Sequence, residues 1–254
     1  MANLKDEDGN EYTWDWLSTV DYLIIGGGIV GMYAAWYILN HTKKQVAVLN
    51  KTASIFGLLS PMHYGAVISE KAPAHFIRDG LALDWLKKYG KFEETDEKTF
   101  YDELFGKREC KLYKPVNDWA EVCHGIMKDI SKSDTFWIQN SCPVYEGWLK
   151  DILYKTPGTV LVATPELFID KESQVALVSH KDESSIQYIA RKNVLTLNKL
   201  CDMQIDTWVA NELFITKSQE LPNRAIALAD YSTYKDISTL IDEAHTTLSL
   251  LNLS

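Results

Sequence analysis

Three glycines set the first chemical expectation. They fall in Asp21-Tyr22-Leu23-Ile24-Ile25-Gly26-Gly27-Gly28-Ile29-Val30-Gly31, so that Gly26, Gly28 and Gly31 follow the G-x-G-x-x-G spacing. The apolar run Tyr22 to Ile25 reads as a buried parallel strand, and Met32 to Leu39 carries helix formers with no breaker. A strand, a glycine turn and a helix in succession give that spacing its meaning. Gly26 permits the tight turn, Gly28 lets a pyrophosphate approach the backbone, and Gly31 lets the helix pack on the strand. The helix would begin near Ile29 and Val30, whose N–H groups and positive dipole end favour phosphate. A dinucleotide site is expected.

Seven further residues are candidates for the same chemistry. Gln45 to Asn50 reads as the second parallel strand, whose end usually presents an acid to the adenosine ribose. Here the position holds Asn50, a neutral and weaker partner for a hydroxyl, followed by Lys51. That lysine would tolerate a 2′-phosphate, so an NADP-type ligand stays open. His63 lies in the Gly/Pro-punctuated loop of residues 52–71, which would run along the strand ends where ligands sit. Near the other end of the chain, Arg224 to Asp230 reads as a strand ending in an acid, and a helix follows from Asp236 to Leu251. Asp236 would cap that helix, and Tyr231 and Tyr234 stand between strand and helix.

The whole sequence bounds what else these residues do. At 254 residues the chain buries a good core. A net charge of −9 with scattered lysines disfavours nucleic acid, and no run approaches the roughly 18 apolar residues that a membrane span needs. Cys110, Cys123, Cys142 and Cys201 form no C-x-x-C pair, which argues against a metal centre and fits reduced thiols in the cytosol. Neither G-x-S-x-G, H-E-x-x-H nor a Walker loop occurs. The expected partner is a small-molecule substrate, and the oligomeric state is left open.

Elements that would position the candidates can be read in order. Residues 1–19 look like a leader docking through Trp14, Trp16 and Leu17. Ala74 to Tyr89 has helical periodicity, residues 93–110 read as a charged helix or loop, and Lys111 to Asn117 reads as extended. Trp119 to Ile130 is a helix in which Cys123 and His124 serve packing, and Pro143 to Lys155 is a shorter one. Thr159 to Ile169, Gln174 to Ser179, Ile186 to Ile189, 191–198 and Met203 to Thr216 are strand-like. A β-α-β start, a β-rich middle and a β-α finish imply an α/β fold whose two ends come together. Because the chain turns irregular after its second strand, FAD is favoured over a nicotinamide cofactor.

This layout resembles the two-domain FAD-binding oxidoreductases of the glutathione reductase, amine oxidase and D-amino-acid oxidase type. The segment Asp21 to Gly31 is similar to the element that holds the ADP half of FAD in that family. Ala229-Asp230 with the helix from Asp236 is similar to its C-terminal element, where an acid contacts the ribityl chain. The resemblance implies a Rossmann-like FAD-binding domain from 1–70 and 190–254, interrupted by a β-rich substrate domain over 71–189. It also implies a flavoenzyme acting on a small amine or hydroxy compound, with His63, Tyr231 and Tyr234 beside the reacting ring. Locally, Lys111-Leu112-Tyr113-Lys114-Pro115-Val116-Asn117 and Ala229-Asp230-Tyr231-Ser232-Thr233-Tyr234-Lys235 are similar to segments of UDP-galactopyranose mutase, a flavin-dependent sugar isomerase. A protein that retains the nucleotide site without turnover is the third expectation.

Overall fold

A computed structural model describes residues 4–5, 11–12, 15–51, 53–59, 62–64, 67–69, 76–95, 99–102, 106–142, 152–163, 174–179, 185–190, 212–214, 224–229, 236–251 and 253. Five short strands form a parallel sheet: β1 (Tyr22–Ile25), β2 (Val46–Leu49), β3 (Phe136–Gln139), β4 (Thr159–Val162) and β5 (Ala225–Ala227). Their order across the sheet is β3-β2-β1-β4-β5, and every pairing is parallel. All four residues of β1 and of β2 are buried, as a parallel sheet covered on both faces requires.

The alternation of side chains splits the core in two. Tyr22, Ile24, Val46, Val48 and Leu161 meet the helices on one face. Leu23, Ile25, Ala47, Leu49, Val160 and Val162 meet Leu17, Val20, Ile152 and Leu153 on the other. Each fully buried aliphatic side chain contributes about 1.5–3 kcal/mol. The helical layer consists of α1 (Ile29–His41), α2 (Leu81–Leu86), α3 (Trp119–Ile130) and α4 (Ile237–Leu250). Helix α1 lies against β1, β2, α3 and α4. An aromatic cluster fills the junction: Tyr33 of α1 meets Trp85 of α2 edge-on at 4.9 Å, and its hydroxyl lies 2.8 Å from Nδ1 of His245 in α4. Burial, with smaller effects from Tyr37 and Asp242, raises the pKa of the Tyr33 phenol, keeping it protonated.

A second, mixed sheet takes its strands from the middle of the chain. Gly106–Glu109, Thr99–Asp102, Ser185–Ala190, Gln174–Ser179 and Glu212–Phe214 pair in that order. Residues 93–110 therefore supply strands rather than a helix or loop, because Thr99–Asp102 pairs parallel with a segment more than 80 residues away. The expected helix over 74–89 shortens to α2: Ile77–Arg78 pairs as a strand with Leu112 and Tyr113, and Gly80 adopts φ +131° before Leu81. Residues 62–64 and 67–69 form an antiparallel pair inside the expected loop. The parallel sheet draws β3 and β4 from the span read as substrate region, so the two sheets do not divide at residues 71 and 189. Residues 191–198, Trp14, 143–151 and 203–211 lie outside the described residues. In the N-terminal segment, Leu17 is fully buried and Trp16 meets Trp137 of β3 at 5.9 Å.

Candidate functional site

The glycine loop sits at the C-terminal end of β1, where the strand order reverses between β1 and β4. Open α/β sheets bind ligands at that point. Gly26 leaves the strand with φ +112°, and its N–H donates to the Leu49 carbonyl at 2.8 Å. The Gly27 carbonyl accepts from Phe56 N–H. A Cβ on Gly31 would stand 1.9 Å from the Gly26 carbonyl oxygen and 3.3 Å from Ala163 Cβ at the end of β4. Gly31 is thus the point where helix, turn and neighbouring strand are closest.

Gly28 is different in kind. It is the N-cap of α1 at φ −72°, and a Cβ built on it would meet nothing within 4 Å. Having no side chain, it leaves the first-turn N–H groups of Ile29 and Val30 uncapped by their own N-cap residue. The surroundings are open where a Cβ would project, and the helix dipole favours an anion there. The residues present therefore fit a pyrophosphate, with Gly28, Ile29, Val30 and Gly31 as its backbone partners.

Asn50 lies directly beneath this loop, 6% exposed. A Cβ on Gly27 would come within 2.8 Å of its carboxamide. Its Nδ2 donates to the Ser54 carbonyl and to Asn140 Oδ1, each at 3.1 Å. Both amide hydrogens are thus taken by protein acceptors, and Lys51 is exposed beside it. Sequence reasoning missed Asn140, for it follows β3 and reaches the loop only through the parallel pairing of β3 with β2.

Asp236 caps α4, accepting from Thr239 N–H at 2.7 Å. Its two oxygens also take the Arg78 guanidinium, Nε to Oδ2 at 2.9 Å and Nη2 to Oδ1 at 3.2 Å. Asp236 thus caps α4 as expected, and its carboxylate also ties that helix to the strand carrying Arg78. Burial opposes the charge on that guanidinium, yet the bonds to Asp236 raise its pKa above the ordinary arginine value. His63 lies on the strand Met62–Tyr64, while Asp230, Tyr231 and Tyr234 are outside the described residues. Cys123 and Cys142 are buried free thiols whose pKa values burial pushes up to about 12 and about 11, so neither is poised as a thiolate. Among the described residues no group of His, Cys, Asp and Glu forms a metal site, and no helix is long and apolar enough to cross a membrane.

Known proteins compare with the chain at the level of fold. No curated protein matches it. The PF1083 protein of Pyrococcus furiosus aligns with a TM-score of 0.52 at 11% identity, over 92% of this chain and 98% of that one. THI4 of Thermovibrio ammonificans aligns with a TM-score of 0.31 at 18% identity, over 47% of this chain and only 37% of its own. The myxobacterial chondrochloren halogenase CndH, a variant of FAD-dependent halogenases, gives 0.41 at 10% identity, over 91% of this chain and 72% of its own. The chain thus spans little more than a third of the length of THI4. Residues 24–89 match the NAD(P)-binding Rossmann-like domain, a stretch that begins within β1 and holds the glycine loop, α1 and β2, and the chain therefore carries a Rossmann-like domain.

Proposed function

We propose that the chain binds FAD, with its ADP half on the loop Gly26–Gly31, and acts as an oxidoreductase on a small substrate such as an amine or hydroxy compound. The observation that carries this reading is Gly28: an uncapped helix start with open space where a side chain would be, beside a Gly31 that tolerates none. FAD is preferred to a nicotinamide because both ends of the chain serve one sheet. Strand β5 pairs with β4, and α4, which follows it, packs on the helix that carries the loop. That is the layout of the FAD-binding oxidoreductases which the sequence resembles.

Bound flavin would supply the redox chemistry, and the polypeptide would hold and orient it. Ile29 and Val30 donate backbone N–H groups to the phosphates. Arg78 and Asp236 fix the start of α4. Tyr231, Tyr234 and His63 remain the candidates for substrate contact, and the reduced cysteines suit a cytosolic setting. The mutase resemblance is less well supported. Its segment Lys111–Asn117 spends Lys111 on Glu94, Lys114 on Glu93 and Asn117 on Glu121, all close neighbours in the fold.

Colour tests the proposal. The purified full chain should be yellow, with flavin absorption that bleaches anaerobically on addition of an oxidisable amine or hydroxy compound. A colourless protein that takes up no FAD sinks it. Turnover of a nucleotide sugar that requires reduced flavin yet consumes no reductant would replace it with the mutase reading.

A further inference from the structure

The direction of one peptide group decides what the glycine loop can offer an anion. Gly26, Gly27 and Gly28 carry no Cβ, so side-chain sterics do little to set the direction of the peptide units between them. The Gly27–Gly28 unit is nevertheless held one way round. Its carbonyl accepts the Phe56 N–H at 2.6 Å, and both Gly27 and Phe56 are buried. In a planar trans peptide the N–H points opposite to the C=O. The Gly28 N–H is therefore turned away from Phe56, and Gly28 is only half-buried at the N-cap of α1. Among the described residues no acceptor takes it.

Phe56 makes its bond to Gly27 from an unfavourable conformation. Its φ is +69°, in the left-handed region that a bulky residue enters only where its surroundings impose it. Here they do. The Phe56 side chain is buried in the same core as Ile29 and Val30, and its carbonyl accepts Leu59 N–H at 3.0 Å. Two residues earlier, the Ser54 carbonyl accepts Asn50 Nδ2 at 3.1 Å, which ties the turn from its other side. We infer that Phe56 is a positioning residue of the nucleotide site. It holds the Gly27 carbonyl oxygen inward, where it cannot repel phosphate, and so turns the Gly28 N–H outward as a third donor beside those of Ile29 and Val30. The inference rests on the glycine loop being the pyrophosphate site, and it adds to that site a residue that itself touches no ligand.

Amide exchange tests the direction of the peptide, and a pair of variants tests its cause. The full chain, freed of any bound nucleotide and labelled for NMR, is compared with and without FAD. Phe56 N–H should be protected in both states. Gly28 N–H should exchange freely alone and slow by about tenfold or more with FAD, together with Ile29 and Val30. Phe56→Gly and Phe56→Ala both remove the ring, but only glycine adopts φ +69° without strain. The glycine variant should therefore bind FAD about tenfold more tightly than the alanine variant. Protection of Ile29 and Val30 without Gly28, or equal affinity in the two variants, overturns the assignment alone. The exchange measurement on the native chain needs neither variant to fold. A folded chain in which FAD slows none of the three amides overturns the glycine-loop reading as well.

Discussion

The two ends of the parallel sheet are built from the same strands and do opposite things. At the N-terminal edge a cleft of about 340 Å³ opens among Asp21, Lys44, Gly158 and Arg224. Much of its polar wall is already spent on the fold. Asp21 Oδ2 accepts Gln45 N–H at 2.8 Å, and the Arg224 guanidinium spans the carbonyls of Leu153, Thr156, Pro157 and Gly158. A Cβ on Gly158 would stand 2.2 Å from the Asp21 carbonyl oxygen, so the backbone there is closed on itself. At the C-terminal edge Gly28 faces open space at a helix start. Room does not make a binding site. Donors left unmatched by the fold do.

Substitutions can hold this contrast to account. The largest effect on ligand is expected from Gly28→Val. Its φ of −72° suits any residue and its Cβ meets no neighbour, so the melting temperature should hardly move. Flavin affinity should nevertheless fall by roughly 100-fold or more, about 2.8 kcal/mol, read from the absorbance of the purified protein. Unchanged flavin content would move the ligand elsewhere. Gly31→Ala should take stability and ligand together. Its Cβ would collide at 1.9 Å with backbone, and forcing the helix off the turn should cost about 3 kcal/mol or more in a urea titration. Arg224→Ala is the smallest and the mirror image. Losing the guanidinium from carbonyls at the N-terminal edge should cost about 1–3 kcal/mol of stability and leave flavin binding as it was. Loss of flavin in that variant would mean that the two edges are not independent.

How much of this could be read in the sequence depended on how far apart the interacting residues lie. The β-α-β start was legible because Tyr22–Ile25, the glycines, α1 and Val46–Leu49 follow one another within 28 residues, 22 to 49, and each declares itself by local pattern. Helix α3 runs from Trp119 to Ile130 as its periodicity predicts, with Asp118 accepting from Glu121 N–H as its cap. Strand β3 was not legible. Phe136-Trp137-Ile138-Gln139 is a short, half-buried edge whose identity comes only from pairing with β2. The charged stretch 93–110 misled for the same reason, its strands being held by partners far along the chain. At the site, the glycines announced themselves, and Asn50 was placed at the end of β2, but its protein partners were not legible. Its amide serves Ser54 and Asn140, and nothing in the order of residues shows that Asn140 is near.

The contact between Tyr33 and His245 joins residues 212 positions apart. Helix α1, which carries the glycine loop, has one flank covered by α4, and α4 is synthesised long after it. On the ribosome the N-terminal unit therefore waits with Tyr33 and its aromatic neighbours uncovered until residues 237–250 emerge. Domains generally fold as units during synthesis, and transiently bare apolar surface invites association with other chains. The order of translation thus separates the helix that carries the glycine loop from its cover by most of the chain described here. A chaperone, or the nucleotide itself, has the whole of that interval in which to act.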